Sequence, residues 1–218
     1  FVLQQNPRYN SVWNAWDELL KRELVNDDLW RWQGRSWEEF CALAVMVSLV
    51  NIPGAKLVAS APIRFRTEQK HGRWLDHDNP LGAFYLEQQS LVVEVRFDMN
   101  RPGKLRADFG APIWITVGRT GDSDDFLNNI PVWPVWDHVG GLVQGESSAL
   151  RSVQYLWDKK TGINAGLILR PASDIGSQSD QDGQMLSLCI GTQGPPLHEA
   201  ITRLSEFFSS LIIGNKKP

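Results

Sequence analysis

Cysteine is scarce in this chain: Cys41 and Cys189 are the only two, and both sit in apolar runs. Two isolated thiols exclude a disulfide-stapled scaffold and read as buried free cysteines of a reducing compartment. No pair of Cys or His has zinc-type spacing. A phosphate-cradling glycine loop and a dinucleotide fingerprint are also missing. Gly145-Glu146-Ser147-Ser148 lacks the second glycine of a nucleophile elbow, which argues against a serine hydrolase. Long hydrophobic runs are absent as well. The longest mostly apolar stretch, residues 41–50, is too short to cross a bilayer. No charged segment followed by a cleavage site opens the chain. Charge of one sign is lacking too: 22 basic against 25 acidic residues leave a net charge of −3. That balance excludes broad attraction to a polyanion, so a nucleic-acid contact must be a local basic patch. A cytoplasmic protein is expected. The opening Phe1-Val2-Leu3, without methionine, reads as a domain taken from a longer protein.

What is present suits a folded domain. Hydrophobic residues make up 42% and charged residues 22% of the 218 positions, enough for a core without staples. Ten tryptophans supply large apolar area, each with one donor to satisfy. A single domain is expected, with a helical lead-in over 1–52, a strand-rich middle over 55–118 and a βαββα-type part over 130–214.

The patterning fills in that outline. Val12, Trp13, Trp16, Leu19, Leu20 and Leu24 recur at helical spacing, and Asn26-Asp27-Asp28 reads as a loop after them. Ser36-Trp37-Glu38-Glu39 has the form of a capping box opening a second helix that ends before Pro53-Gly54. From about residue 56 the period becomes two. Residues 57–59 and 63–66 read as strands, 84–86 and 91–97 as a hairpin about Gln88-Gln89-Ser90, and 112–117 as a further strand. Residues 119–130 read as a polar loop, and 132–136, with Pro134, as an edge strand or extended loop. A helix is expected over 147–160, buried strands over 165–169 and 185–190, a flexible loop over 173–184, and a final helix over 197–213 stopped by Gly214. Together these give an α/β (mixed α+β) fold, a mixed central sheet flanked by helices.

The sharpest chemical candidate lies on the strand over 91–98. Side chains alternate faces, so Val92, Glu94, Arg96 and Asp98 share one face. A carboxylate and a basic group two apart on a strand suit phosphodiester chemistry: the acid holds a divalent cation and the base stabilises developing charge. The nearest second carboxylates in sequence are Asp76 and Asp78. A solvated strand face with ion pairs explains the same residues. Asp76-His77-Asp78 beside Asn79-Pro80 also suits a turn.

Asn6-Pro7-Arg8-Tyr9 through Val12-Trp13, Trp16 and Leu19-Leu20, then Ser36-Trp37-Glu38-Glu39-Phe40, resembles the helical lead-in of McrC-like restriction proteins and DUF2357-type bacterial proteins. In those proteins a nuclease domain of the PD-(D/E)xK class follows. Glu94-Val95-Arg96 is similar to that class's acid-x-Lys element, with Arg for Lys. The resemblance implies a restriction-endonuclease-like domain of a bacterial restriction or anti-phage defence protein, active or catalytically degenerate. It implies Glu39 as a helical acid, Glu94 and Asp78 as ligands of Mg²⁺ or Mn²⁺, and Arg96 at the phosphate. Where the family has Pro-Asp, this chain has Pro80-Leu81-Gly82, so Asp78 would have to reach in. The favoured reading of Glu39 is the capping-box acid of Ser36, which explains it fully.

DNA is the implied partner. Arg64, Arg66, Lys70 and Arg73 precede the hairpin, and Arg101 and Lys104 follow it, making the middle of the chain its most basic part. A solvated face balanced by nearby acids is the alternative. A second functional expectation is a non-catalytic module of a larger assembly, docking through Trp133 and Trp136 with other subunits or domains.

Overall fold

In the computed structural model, residues 7–59, 65–68, 72–75, 80–97, 111–120, 126–136, 165–172 and 179–214 are described. The chain divides into two compact units, Phe1–Ser36 and Trp37–Pro218. The division falls inside the expected helical lead-in.

The first element corrects the sequence reading. Helix α1 runs unbroken over Pro7–Val50, 44 residues, with no loop at Asn26-Asp27-Asp28 and no capping box at Ser36. Asp and Asn cost only about 0.7 kcal/mol or less each inside a helix. Between Pro7 and Pro53 the only strong breaker is Gly34. A capping box needs a non-helical N-cap, and Ser36 is helical. Glu39 stands mid-helix, half-buried.

After α1, Gly54 adopts φ +82°, a left-handed conformation that glycine enters freely. The chain then turns into an eight-stranded sheet among the described residues, in the order β1 (Ala55–Ala59), β4 (Gly82–Leu86), β5 (Leu91–Phe97), β6 (Ile113–Arg119), β7 (Phe126–Pro134), β8 (Gly166–Pro171), β10 (Met185–Ile190), β9 (Ser179–Asp182). β2 (Phe65–Glu68) and β3 (Gly72–Leu75) form a separate two-stranded ribbon. From β1 to β7 the neighbours are antiparallel. β7, β8 and β10 run parallel, and β9 closes the far edge antiparallel to β10. The mixed α/β class expected from the sequence is the observed one. Parallel β7 and β8 need a crossover connection; the helix expected over 147–160 lies outside the described residues.

Two strand readings are corrected. Residues 126–134 form β7, inside the sheet rather than at its edge. Asn128 and Asn129 interrupt its apolar pattern, which hid it. Pairing to β8 begins at Val132, so at Pro131 only β6 borders the strand in the described sheet, and the missing N–H is tolerated there. Residues 179–182, within the expected flexible loop, form β9. Its Ser-Asp-Gln-Asp sequence has low strand propensity, but a short charged strand suits an exposed sheet edge.

One face of the sheet carries the main core. Phe84, Leu86, Val93, Val95, Ile113, Ile115, Ile130, Val132, Leu167, Leu169, Leu186 and Leu188 pack beneath Cys41, Val45 and Leu49 of α1. Ala200, Leu204, Phe207, Phe208 and Leu211 of helix α2 (Gly194–Ile212) join the same cluster. The two helices meet where the Ser205 hydroxyl donates to the Ser48 carbonyl at 2.9 Å. α2 starts with Pro195 and Pro196 in its first turn, where the missing N–H groups cost nothing. It starts three residues earlier than the apolar periodicity shows. The opposite face is buried too along its parallel half. Ile168, Met185, Ser187 and Cys189 are 6% exposed or less, so β8 and β10 have the two buried faces that their near-continuous apolar sequence requires.

Candidate functional site

The site is built on the β4–β5 hairpin. Its turn, residues 87–90, closes with Ser90 at φ +54°, and Lys56 forms an ion pair with Glu87 at the hairpin's end. That pair holds the Glu87 carboxyl below its ordinary pKa and the Lys56 amine above its own, each mainly through their shared hydrogen bond. Along β5 the alternation read from the sequence holds. Leu91, Val93, Val95 and Phe97 are buried, whereas Val92, Glu94 and Arg96 are half-buried on the other face.

Glu94 and Arg96 are bound to each other. Arg96 donates from Nε at 2.9 Å and from Nη2 at 2.6 Å, both to Oε2 of Glu94. Across the hairpin, the residue opposite Glu94 is Ala83. On its other side stands Thr116 of β6, and beyond that Asn129 of β7. The row is therefore Ala83, Glu94, Thr116, Asn129, one residue per strand on one face. Thr116 is 1% and Asn129 6% exposed. Both carry a buried oxygen, Thr116 Oγ1 and Asn129 Oδ1, with no hydrogen-bond partner among the described residues. The sequence reading missed Thr116 and Asn129. Two polar residues in otherwise apolar strands were the available signal, but their alignment with Glu94 depends on registers that no single strand reveals.

Among the described residues, the hairpin register sets Ala83 rather than a second carboxylate opposite Glu94, and Arg96 holds the Glu94 carboxylate. No group of three or more His, Cys, Asp or Glu converges among the described residues. Asp78 lies outside the described residues, as do Arg64, Lys70, Arg101 and Lys104. Arg66 and Arg73 are strand positions of the β2–β3 ribbon, where Arg66 pairs with Trp74 and Thr67 with Arg73.

The two tryptophans proposed for docking differ in setting. Trp133 is half-buried on β7 and lies across Gly166, where an added Cβ would meet its ring carbon at 3.1 Å and the Met185 sulfur at 2.7 Å. Trp136 is 37% exposed. Its ring centroid lies 5.8 Å from that of Trp37, which stacks on Phe40 and donates its indole N–H to the Leu169 carbonyl at 3.4 Å. Other exposed apolar side chains lie elsewhere. Leu43, Val47 and Val50 of α1 are 39–50% exposed, and Leu57 and Val58 of edge strand β1 are 46% and 66% exposed.

Among the described residues no helix is long and apolar enough to cross a membrane. Comparison of the chain with protein-family models, with curated proteins and with solved structures finds no match.

Proposed function

We propose that this chain is a nuclease-like domain of a bacterial restriction or anti-phage defence protein, acting on or near DNA, in which binding is kept and phosphodiester cleavage is not. One observation carries the non-catalytic half of this reading. The hairpin sets Ala83 opposite Glu94, and Arg96 holds that carboxylate through two bonds to one oxygen. Metal-assisted hydrolysis needs a cation to activate water and polarise the phosphate, and an acid already paired with arginine is a poor anchor for it. The DNA half rests on the resemblance of the helical lead-in and on the basic run from Arg64 to Lys104. The test is incubation of the full chain with single- and double-stranded DNA and Mg²⁺ or Mn²⁺, followed for both retention and cutting. Retention without cutting is expected. Metal-dependent cutting that disappears in Glu94→Ala would replace this reading with an active nuclease.

A second reading, a protein-interaction module of a larger assembly, is supported by α1. Residues 40–50 contain no charged side chain, and Leu43, Val47 and Val50 form an outward stripe at spacings of four and three. A helix apolar on all sides suits burial against something. Under this reading, Val47→Lys abolishes partner capture and leaves DNA retention unchanged.

A further inference from the structure

Among the described strands, β2 and β3 alone stand outside the eight-stranded sheet. Their register sets Phe65 opposite Leu75, Arg66 opposite Trp74, Thr67 opposite Arg73 and Glu68 opposite Gly72. Positions alternate faces along a strand, so Arg66, Trp74, Glu68 and Gly72 belong to one face of the ribbon and the other four to its reverse. Directly opposed residues have Cβ atoms about 4.5–5.5 Å apart. The pairing thus sets a cationic position beside an indole position at one level of the ribbon, which neither strand reveals alone. The sequence around it is basic: residues 64–75 contain Arg64, Arg66, Lys70 and Arg73 against Glu68 as the one acid. In a chain of net charge −3, that surplus is local, and it complements a polyanion.

An arginine and a tryptophan at paired positions suit a nucleotide. The ring offers a base a stacking surface, and the guanidinium suits the phosphate beside it. Stacking is tolerant of sequence, because every base has a π-face. In a duplex the bases already stack on one another, so an indole gains this contact only after a base step is opened. A single strand presents its bases without that cost. We infer that the β2–β3 ribbon binds single-stranded DNA in preference to duplex, with Trp74 stacking on a base and Arg66 pairing with the adjoining phosphate. This rests on the DNA-binding half of the proposed function, and it adds the element that binds, the strand state it selects and the residue that selects it. Glu68 belongs to the same face, where its charge opposes the phosphate and lowers the affinity.

The experiment titrates a labelled oligo-thymidine strand, and a labelled duplex of equal length, with the full 218-residue chain. Fluorescence anisotropy is followed without divalent metal, so that cutting does not intervene. Tighter binding of the single strand is expected. Trp74→Leu keeps an apolar side chain without the ring, and weakens single-strand binding by about five- to a hundredfold, the share of one stacked base, with little effect on the duplex. Trp74→Phe keeps a ring and retains most of the affinity. The slope of log affinity against log salt stays unchanged in Trp74→Leu, since stacking releases no counterion, and falls in Arg66→Ala. Glu68→Gln tightens binding several-fold. A second readout is tryptophan emission, which the strand quenches in the parent and less in Trp74→Phe. Equal affinity of the folded parent for strand and duplex overturns the inference. So does unchanged single-strand binding by folded Trp74→Leu, or quenching that persists in full in Trp74→Phe. In each of these cases DNA is still retained and the proposed function stands. A folded parent that binds neither strand nor duplex overturns both.

Discussion

Cys41 and Cys189 are both buried, and for Cys41 burial, followed by the Glu38 charge, pushes the thiol well above its ordinary pKa. Neither cysteine should react with a thiol reagent in the native chain, and both should react once it is unfolded, as a colorimetric thiol count would show. Because the folded pKa is raised, the protonated thiol favours the folded state. That contribution is complete below the unfolded thiol's pKa and declines as pH rises beyond it. Gly166 makes a second prediction. A methyl group there meets Trp133 and Met185, so Gly166→Ala should cost about 1–3 kcal/mol by overpacking, measured by denaturant unfolding. At this scale the sequence was partly legible. The alternation of β5 placed Glu94 and Arg96 together, because period two is a local property. Ala83, Thr116 and Asn129 were not legible as their neighbours, because register is set by other strands and by turns.

Elements whose burial is uniform were the easiest to read. β8, β10 and α2 were found because strands buried on both faces are apolar throughout, and because an amphipathic helix repeats its apolar face. Elements that depend on tertiary support were misread. β9 is polar and held by its pairing to β10, and β7 is interrupted by two asparagines. α1 was divided because turn-forming residues at 26–28 and a capping pattern at Ser36 outweighed the absence of a strong breaker. Its continuity gives a direct test. An added Cβ at Gly34 meets nothing within 4 Å, so Gly34→Ala should stabilise the protein by about 0.5–1 kcal/mol. Thermal unfolding followed at 222 nm would show this. A helix that instead began at Ser36 would leave Gly34 outside it and predict no gain.

For the whole molecule, the sheet's two faces divide the work. One holds the core with α1 and α2, and the other carries the arginine-paired Glu94 and the buried oxygens of Thr116 and Asn129. With a net charge of −3, the proposed DNA retention requires a local basic patch, and charge neutralisation tests for it. Replacing Arg66 or Arg73 by Ala should weaken binding equally for all sequences. Each replacement should also reduce the slope of log affinity against log salt by about one, the share of a single arginine–phosphate pair. A mobility shift at several salt concentrations measures this.

In the proposed function the fold keeps a nuclease-like hairpin without its cleavage chemistry. Its most direct test is prolonged incubation of folded full chain with single- and double-stranded DNA in Mg²⁺ or Mn²⁺, beside Glu94→Ala. Intact DNA in every reaction, with the chain still retained on it, is the expected result. Metal-dependent strand breaks made by the parent chain and absent with Glu94→Ala would contradict the account.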